Sequence, residues 1–174
     1  MIVYYTVDDI CAKHLEGLKR LEALRTTVPE FRMTAFVIAG DLNAAVTEWL
    51  KQNRDWVEVG VHGWRHDDPP EMERPYEERT GRLRRAFEAL RPLLPQRYGY
   101  RAPGFQMTAT SYALVKEMGF YYIAHQTRIQ PFRGYSVEPG RLINTHIYDT
   151  LNLKGLEHEH FKTLGQGLYR GSGV

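Results

Sequence analysis

Only one cysteine, Cys11, occurs among the 174 residues, so no disulfide can form within the chain. Set between Ile10 and Ala12, it reads as a small buried hydrophobe rather than a reactive thiol. No run approaches the roughly 20 apolar residues that a membrane-spanning helix needs, so a membrane partner is excluded. The opening Met1-Ile2-Val3-Tyr4-Tyr5 lacks the charged start of a signal peptide, which implies a cytoplasmic setting. Charge of one sign is also missing. Lys and Arg number 23 and Asp and Glu 21, a formal net charge of +2 with both signs interspersed, so no basic field argues for nucleic acid as a partner. There is no internal repeat, low-complexity tract or interdomain linker.

What is present is enough for one core. At this length a single domain over residues 1–174 is expected, burying about 70% of its extended surface. Strand-like apolar runs alternate with segments of helical period, the pattern of a mainly parallel α/β fold. Strands are expected at 2–7, 34–39, 57–61, 98–101, 120–124 and 141–146. Between them, Leu15, Leu18, Leu21, Leu24 and Val28 form one face of a helix stopped by Pro29, and Asp41 is the expected N-cap of a helix closing near Asn53. The longest helix should lie between Pro75 and Leu94, with Leu83, Phe87, Leu90 and Leu94 inward and its Arg and Glu residues solvated. Thr108 or Thr110 caps a helix that Gly119 ends. After Asp149 the pattern weakens. Residues 150–174 read as a peripheral C-terminal segment, with a helix over 157–168 and a frayed end at Gly171-Ser172-Gly173.

Residues suited to metal binding and proton transfer recur at the carboxyl ends of these strands. Asp8 and Asp9 follow the first, His62 and His66 the third, Arg101 the fourth and His146 the last. In parallel α/β folds the ligand site lies at those ends, so residues scattered in sequence can converge. Taken singly, each has a plain structural explanation: Asp-Asp can cap the next helix, and the two histidines can be unrelated loop residues. Taken together, two imidazoles and a carboxylate make a three-ligand set for a divalent metal. A second carboxylate then suits a base, an Arg would hold that base ionised, and a further His could protonate a departing amine. The Glu of a His-Glu-x-x-His zinc protease is absent between the histidines. His14, His158 and His160 read as surface residues.

The order of these motifs resembles the polysaccharide deacetylases of the NodB-homology superfamily, carbohydrate esterase family four and its relatives, from residue 6 to residue 146. Thr6-Val7-Asp8-Asp9 resembles their first motif, His62-Gly63-Trp64-Arg65-His66 their second, Arg101-Ala102-Pro103-Gly104 their third and Leu142-Ile143-Asn144-Thr145-His146 their last. The resemblance implies an irregular (β/α) barrel of about seven strands, related to the TIM barrel. It also implies Asp8 as catalytic base, Asp9, His62 and His66 as metal ligands, Arg101 as partner of the base and His146 as general acid. Trp64, Tyr100, Gly104 and Phe105 would flank the substrate. Val7 stands where these proteins usually have Phe, Ile10 where they have Gly, and Gly104 where an aromatic follows the proline. Their acidic fourth motif has no clear counterpart, and His125 lies in its region.

By this resemblance the chain would be a metal-dependent hydrolase removing acetyl groups from an N-acetylated sugar or polysaccharide, with metal-bound water activated by Asp8. One divalent transition metal is implied, zinc first, with cobalt, manganese, nickel or iron(II) open to the same ligands. The alternatives are a C–N hydrolase acting on a small non-sugar amide and an inactive barrel that binds glycans or a protein partner.

Overall fold

In the first strand, Val7 and Ile10 both enter the core although they lie three residues apart, an odd spacing that a regular strand, with its period of two, forbids. The computed structural model describes residues 2–67, 69–125, 128–132, 136–137 and 140–146, with the backbone alone at 2, 3 and 140–146. It explains the spacing by a bulge. Strand β1 (Ile2–Ile10) pairs in parallel with β2 (Met33–Val37), and the register shifts between Val7, opposite Ala35, and Ile10, opposite Val37. Asp9, inside the bulge, takes a left-handed φ of 59°, uncommon for a residue other than glycine.

The sheet continues through β3 (Val57–Val61), β4 (Gly99–Tyr100), β5 (Tyr122–Ala124), β6 (Ile129–Pro131) and β7 (Gly140–His146), in the order β6-β5-β4-β3-β2-β1-β7. Every neighbouring pair is parallel except β5 and β6. The sheet has seven strands, and among the described residues its edge strands β6 and β7 do not pair. Strand β6, with three residues and a terminal Pro131, is too short to show in the sequence pattern. Proline suits it to an edge, where one ladder donor can be missing.

Helices α1 (Leu15–Thr27), α2 (Ala44–Gln52), α3 (Tyr76–Leu90) and α4 (Ala109–Glu117) connect the strands. Val57, Val59 and Val61 join Leu18, Leu21, Val46, Leu50, Leu83 and Leu90 in the main core, while Phe36, Tyr122 and Ala124 form a small cluster apart from it. Gly60 and Gly99 leave room for the Phe36 and Tyr122 rings; a Cβ at Gly60 would stand 2.6 Å from the Phe36 ring. Truncating Leu18, which is fully buried, should cost about 2–5 kcal/mol.

Three local expectations are corrected. Asn43, not Asp41, caps α2, its side chain accepting the Val46 N–H at 2.9 Å. Helix α3 ends at Leu90, short of Leu94: Arg91 still holds helical angles as its C-cap, but Pro92 supplies no N–H to continue the ladder. Its outer face is not wholly solvated either. Arg79 is buried and donates to the Met72 carbonyl and to the hydroxyls of Thr108, Thr110 and Ser111. Thr108 caps α4, and Gly119, at φ 92°, follows its end. Cys11 is buried, as expected. The helix expected over 157–168, His158, His160 and the rest of the 150–174 segment lie outside the described residues. No helix among the described residues is long and apolar enough to cross a membrane.

Candidate metal centre

Because β1, β3, β4 and β7 run parallel, their carboxyl ends share one edge of the sheet, and Asp8, Asp9, His62, Arg101 and His146 all stand there. Val61 pairs with Tyr100, which sets His62 beside Arg101, and Asp8 pairs with His146. In a regular strand Asp8 and Asp9 would point to opposite faces. The bulge removes that alternation: Asp8 reaches Arg101, while Asp9 reaches the two histidines.

Asp9 Oδ1 lies 3.4 Å from His62 Nε2 and 3.9 Å from His66 Nε2. One donor atom from each of Asp9, His62 and His66 falls within 4.8 Å of the others, a spacing that fits one ion among them. The His62 tautomer fits as well. Its Nδ1 lies 2.8 Å from the Arg101 carbonyl, which can only accept, so Nδ1 carries the proton and Nε2 keeps its lone pair toward Asp9. His62 is buried, whereas the His66 side chain is 47% exposed.

His14, expected on the surface, is instead buried beneath this group and donates from Nδ1 to the Asp9 carbonyl at 2.7 Å, bracing the left-handed residue. The helix starts at Leu15, so His14 falls in the preceding 3-10 turn and folds under β1.

Behind the cluster, Arg101 Nη1 lies 2.5 Å from Asp8 Oδ1, with both side chains out of contact with water. Arg101 also donates to Thr6 Oγ1 at 2.8 Å and from Nε to the Ala124 carbonyl at 3.2 Å. Its guanidinium carbon stands 4.4 Å from the centre of the Phe36 ring and 5.6 Å from that of Phe105. Burial lowers the guanidinium pKa and Asp8 opposes that shift; an Arg so paired stays charged. Asp8 Oδ2 is buried and accepts no hydrogen bond from the described residues. Besides Asp8, a hydroxyl and a main-chain carbonyl thus hold Arg101 in place. His125 is half-buried, and burial, then the nearby Arg128 charge, lowers its pKa.

The residues expected to flank a substrate divide. Gly104 is exposed at φ 61° and Phe105 half-buried at φ 58°, two successive left-handed residues forming a sharp turn after Pro103. Trp64 is half-buried and packs against the core, its carbonyl accepting the Gly40 N–H at 2.8 Å. Tyr100 is corrected: it is fully buried against Phe120, with burial and then Glu71 raising its pKa, and it offers a ligand no surface.

Sequence reasoning missed Glu71. It is fully buried, and its Oε2 accepts the N–H groups of Trp64 at 2.7 Å and Arg65 at 3.2 Å. Burial pushes its carboxyl pKa up, and the two amide donors oppose that. Nothing in the sequence separates it from Glu73, Glu77 and Glu78, which are exposed.

The mainly parallel sheet carries the Asp9-His62-His66 cluster and the buried Asp8-Arg101 pair at its carboxyl edge, and solved structures share its fold. The fold is that of family 4 carbohydrate esterases and polysaccharide deacetylases. The chain is similar to the chitin deacetylase of Colletotrichum lindemuthianum, at 19% identity and TM-score 0.66 over 94% of this chain and 82% of that one. It is similar to a family 4 carbohydrate esterase from Streptomyces lividans in complex with acetate, at 17% and 0.65 over 94% and 88%. A family 4 pseudoenzyme from Bacillus anthracis aligns at 14% and 0.60 over 94% of this chain; the chain spans 61% of that protein's length. The sequence matches no protein-family model and no curated protein, and at these identities the likeness is one of fold.

Proposed function

We propose that the chain is a metal-dependent hydrolase that removes acetyl groups from an N-acetylated sugar or polysaccharide. The observation that carries this is the division of labour between adjacent carboxylates. Asp9 faces two imidazoles, as a ligand would, while Asp8 faces a buried Arg and keeps one oxygen without a hydrogen bond, as a base would.

Asp9, His62 and His66 would hold the ion, zinc or another divalent transition metal. When bound, such an ion supplies Lewis acidity, polarising an acyl carbonyl and making a water easier to deprotonate. Asp8 accepts the proton at Oδ2, and Arg101 orients it through Oδ1. Gly104 and Phe105, which form the exposed turn, line the acyl group, and Trp64 lines the sugar. His146 is assigned the return of a proton to the leaving nitrogen, on the strength of its place at the end of β7 opposite Asp8.

Two variants of this function remain distinct in their products. A small non-sugar amide in place of the sugar would use the same residues, and acetate release from acetylated amino-sugar oligomers against hydrolysis of small amides separates them. The other is an inactive barrel that binds glycans or a protein partner, a reading that the presence of a family 4 pseudoenzyme among the structural neighbours supports.

The decisive experiment is Asp8→Asn. It should lower acetate release by roughly 10²–10⁴-fold while leaving cobalt(II) uptake by the full chain intact. Unchanged turnover would show that Asp8 is not the base.

A further inference from the structure

His62 and His66 reach the cluster in different ways. His62 follows β3 directly and is fixed by its own N–H, which donates to the Val37 carbonyl at 2.9 Å, and by its ring bond to Arg101. His66 is exposed and stands where the intervening residues 63–65 put it. Those three residues are clamped from two sides. On one side, the carbonyls of Gly63 and Trp64 accept the N–H groups of Ala39 at 3.2 Å and Gly40 at 2.8 Å. On the other, the amides of Trp64 and Arg65 converge on a single oxygen of Glu71.

Glu71 is an unusual anchor. Its side chain is fully buried, and the Trp64 and Arg65 amides oppose the cost of that burial ahead of the Arg82 charge, which forms no direct ion pair with it. A buried carboxylate is costly unless hydrogen bonds compensate, and the two amides are the bonds that do so. The loop is shaped around it: Gly63 takes φ 76°, and a Cβ there would stand 3.0 Å from Glu71 Oε1. Glu71 is held in turn, because Met72, next in the chain, offers its carbonyl to Ser111 Oγ at 2.7 Å and to Arg79 Nη1 at 3.2 Å.

We infer that Glu71 is a positioning residue for the metal centre, fixing the distance of His66 from His62 and Asp9 through the Trp64 and Arg65 amides. The inference rests on the proposed metal site and adds to it a residue that touches none of the ligands. Its effect runs through hydrogen bonds rather than charge, which separates the substitutions. Gln at 71 keeps an oxygen that can accept both amides. Met fills the same space and accepts neither, and Asp keeps the charge but falls one methylene short.

The test is cobalt(II) titration of the metal-free full chain, read by the visible absorption bands of the bound ion and by the affinity, with circular dichroism reporting the fold. Glu71→Met should bind cobalt(II) about 10–100-fold more weakly than the parent, with altered bands, and Glu71→Gln within about threefold of it. If Glu71→Met does not fold, Glu71→Asp carries the comparison, with weakened binding again expected. Glu71→Met or Glu71→Asp folding and binding as tightly as the parent would overturn the inference, as would Glu71→Gln binding no better than Glu71→Met. A parent chain that takes up no cobalt(II) overturns the metal site itself, whereas a parent that binds alongside equal variants overturns only the role of Glu71.

Discussion

The ring of His62 and the backbone of Arg101 share a 2.8 Å hydrogen bond, so the buried imidazole that faces Asp9 and the brace of Asp8 are two ends of one contact. The imidazole is oriented by a carbonyl whose own side chain grips the neighbouring carboxylate. Disturbing either end should therefore be felt at the other.

Removing the guanidinium is the harsher disturbance. Arg101→Ala leaves Asp8 buried without its counter-ion and strips partners from Thr6 and the Ala124 carbonyl. A loss of about 3–5 kcal/mol is expected in urea unfolding of the metal-free chain. A loss under 1 kcal/mol would mean that water reaches the pair.

The two histidines should behave differently when removed one at a time. Both His62→Ala and His66→Ala should abolish stoichiometric metal uptake, measured by elemental analysis after incubation with zinc. His66 is exposed, so its loss should change metal-free stability by no more than about 0.5 kcal/mol. His62 is buried and bonded to Arg101, so its loss should cost about 2 kcal/mol. Equal stability costs would contradict the burial difference.

His125 gives a prediction in pH. Its pKa is lowered in the folded chain, by burial first and by Arg128 next, so between that folded value and the ordinary 6.5 the unfolded chain binds more protons. Stability is thus fully present above pH 6.5 and falls as pH drops through the window below it. His125→Gln should flatten that fall. The comparison is of urea midpoints at pH 7.5 and 5.5; identical slopes for parent and variant would remove His125 as a cause.

Much of this was legible in the sequence, for a physical reason. Asp9, His62 and Arg101 each stand directly after a run of residues with strand period, and a parallel sheet carries all such endings to one edge. The strands with long apolar runs were equally plain. What escaped depended on contacts between elements. Arg79 sits four residues before Leu83, on the inward stripe of α3, and that spacing was the available signal. Its charged neighbours Glu77, Glu78 and Arg82 made the segment read as solvated. His14 reads as a surface residue but sits in the turn before Leu15 and folds under β1, and Glu71 escapes because its two donors, the amides of Trp64 and Arg65, leave no mark on composition. The bulge could not be read either, since it is a mismatch between two strands rather than a property of one.

That mismatch makes the chemistry of the edge a matter of parity. Val7 and Ile10 anchor the strand on one face, and the count of residues between them decides how many side chains are released toward the opening. With two in the gap, a pair of chemically identical carboxylates is sorted into unlike surroundings by backbone phase alone. Substitutions there change the groups one by one; a single insertion or deletion would shift the phase and dissolve the distinction between them, even with every other residue of the edge in place.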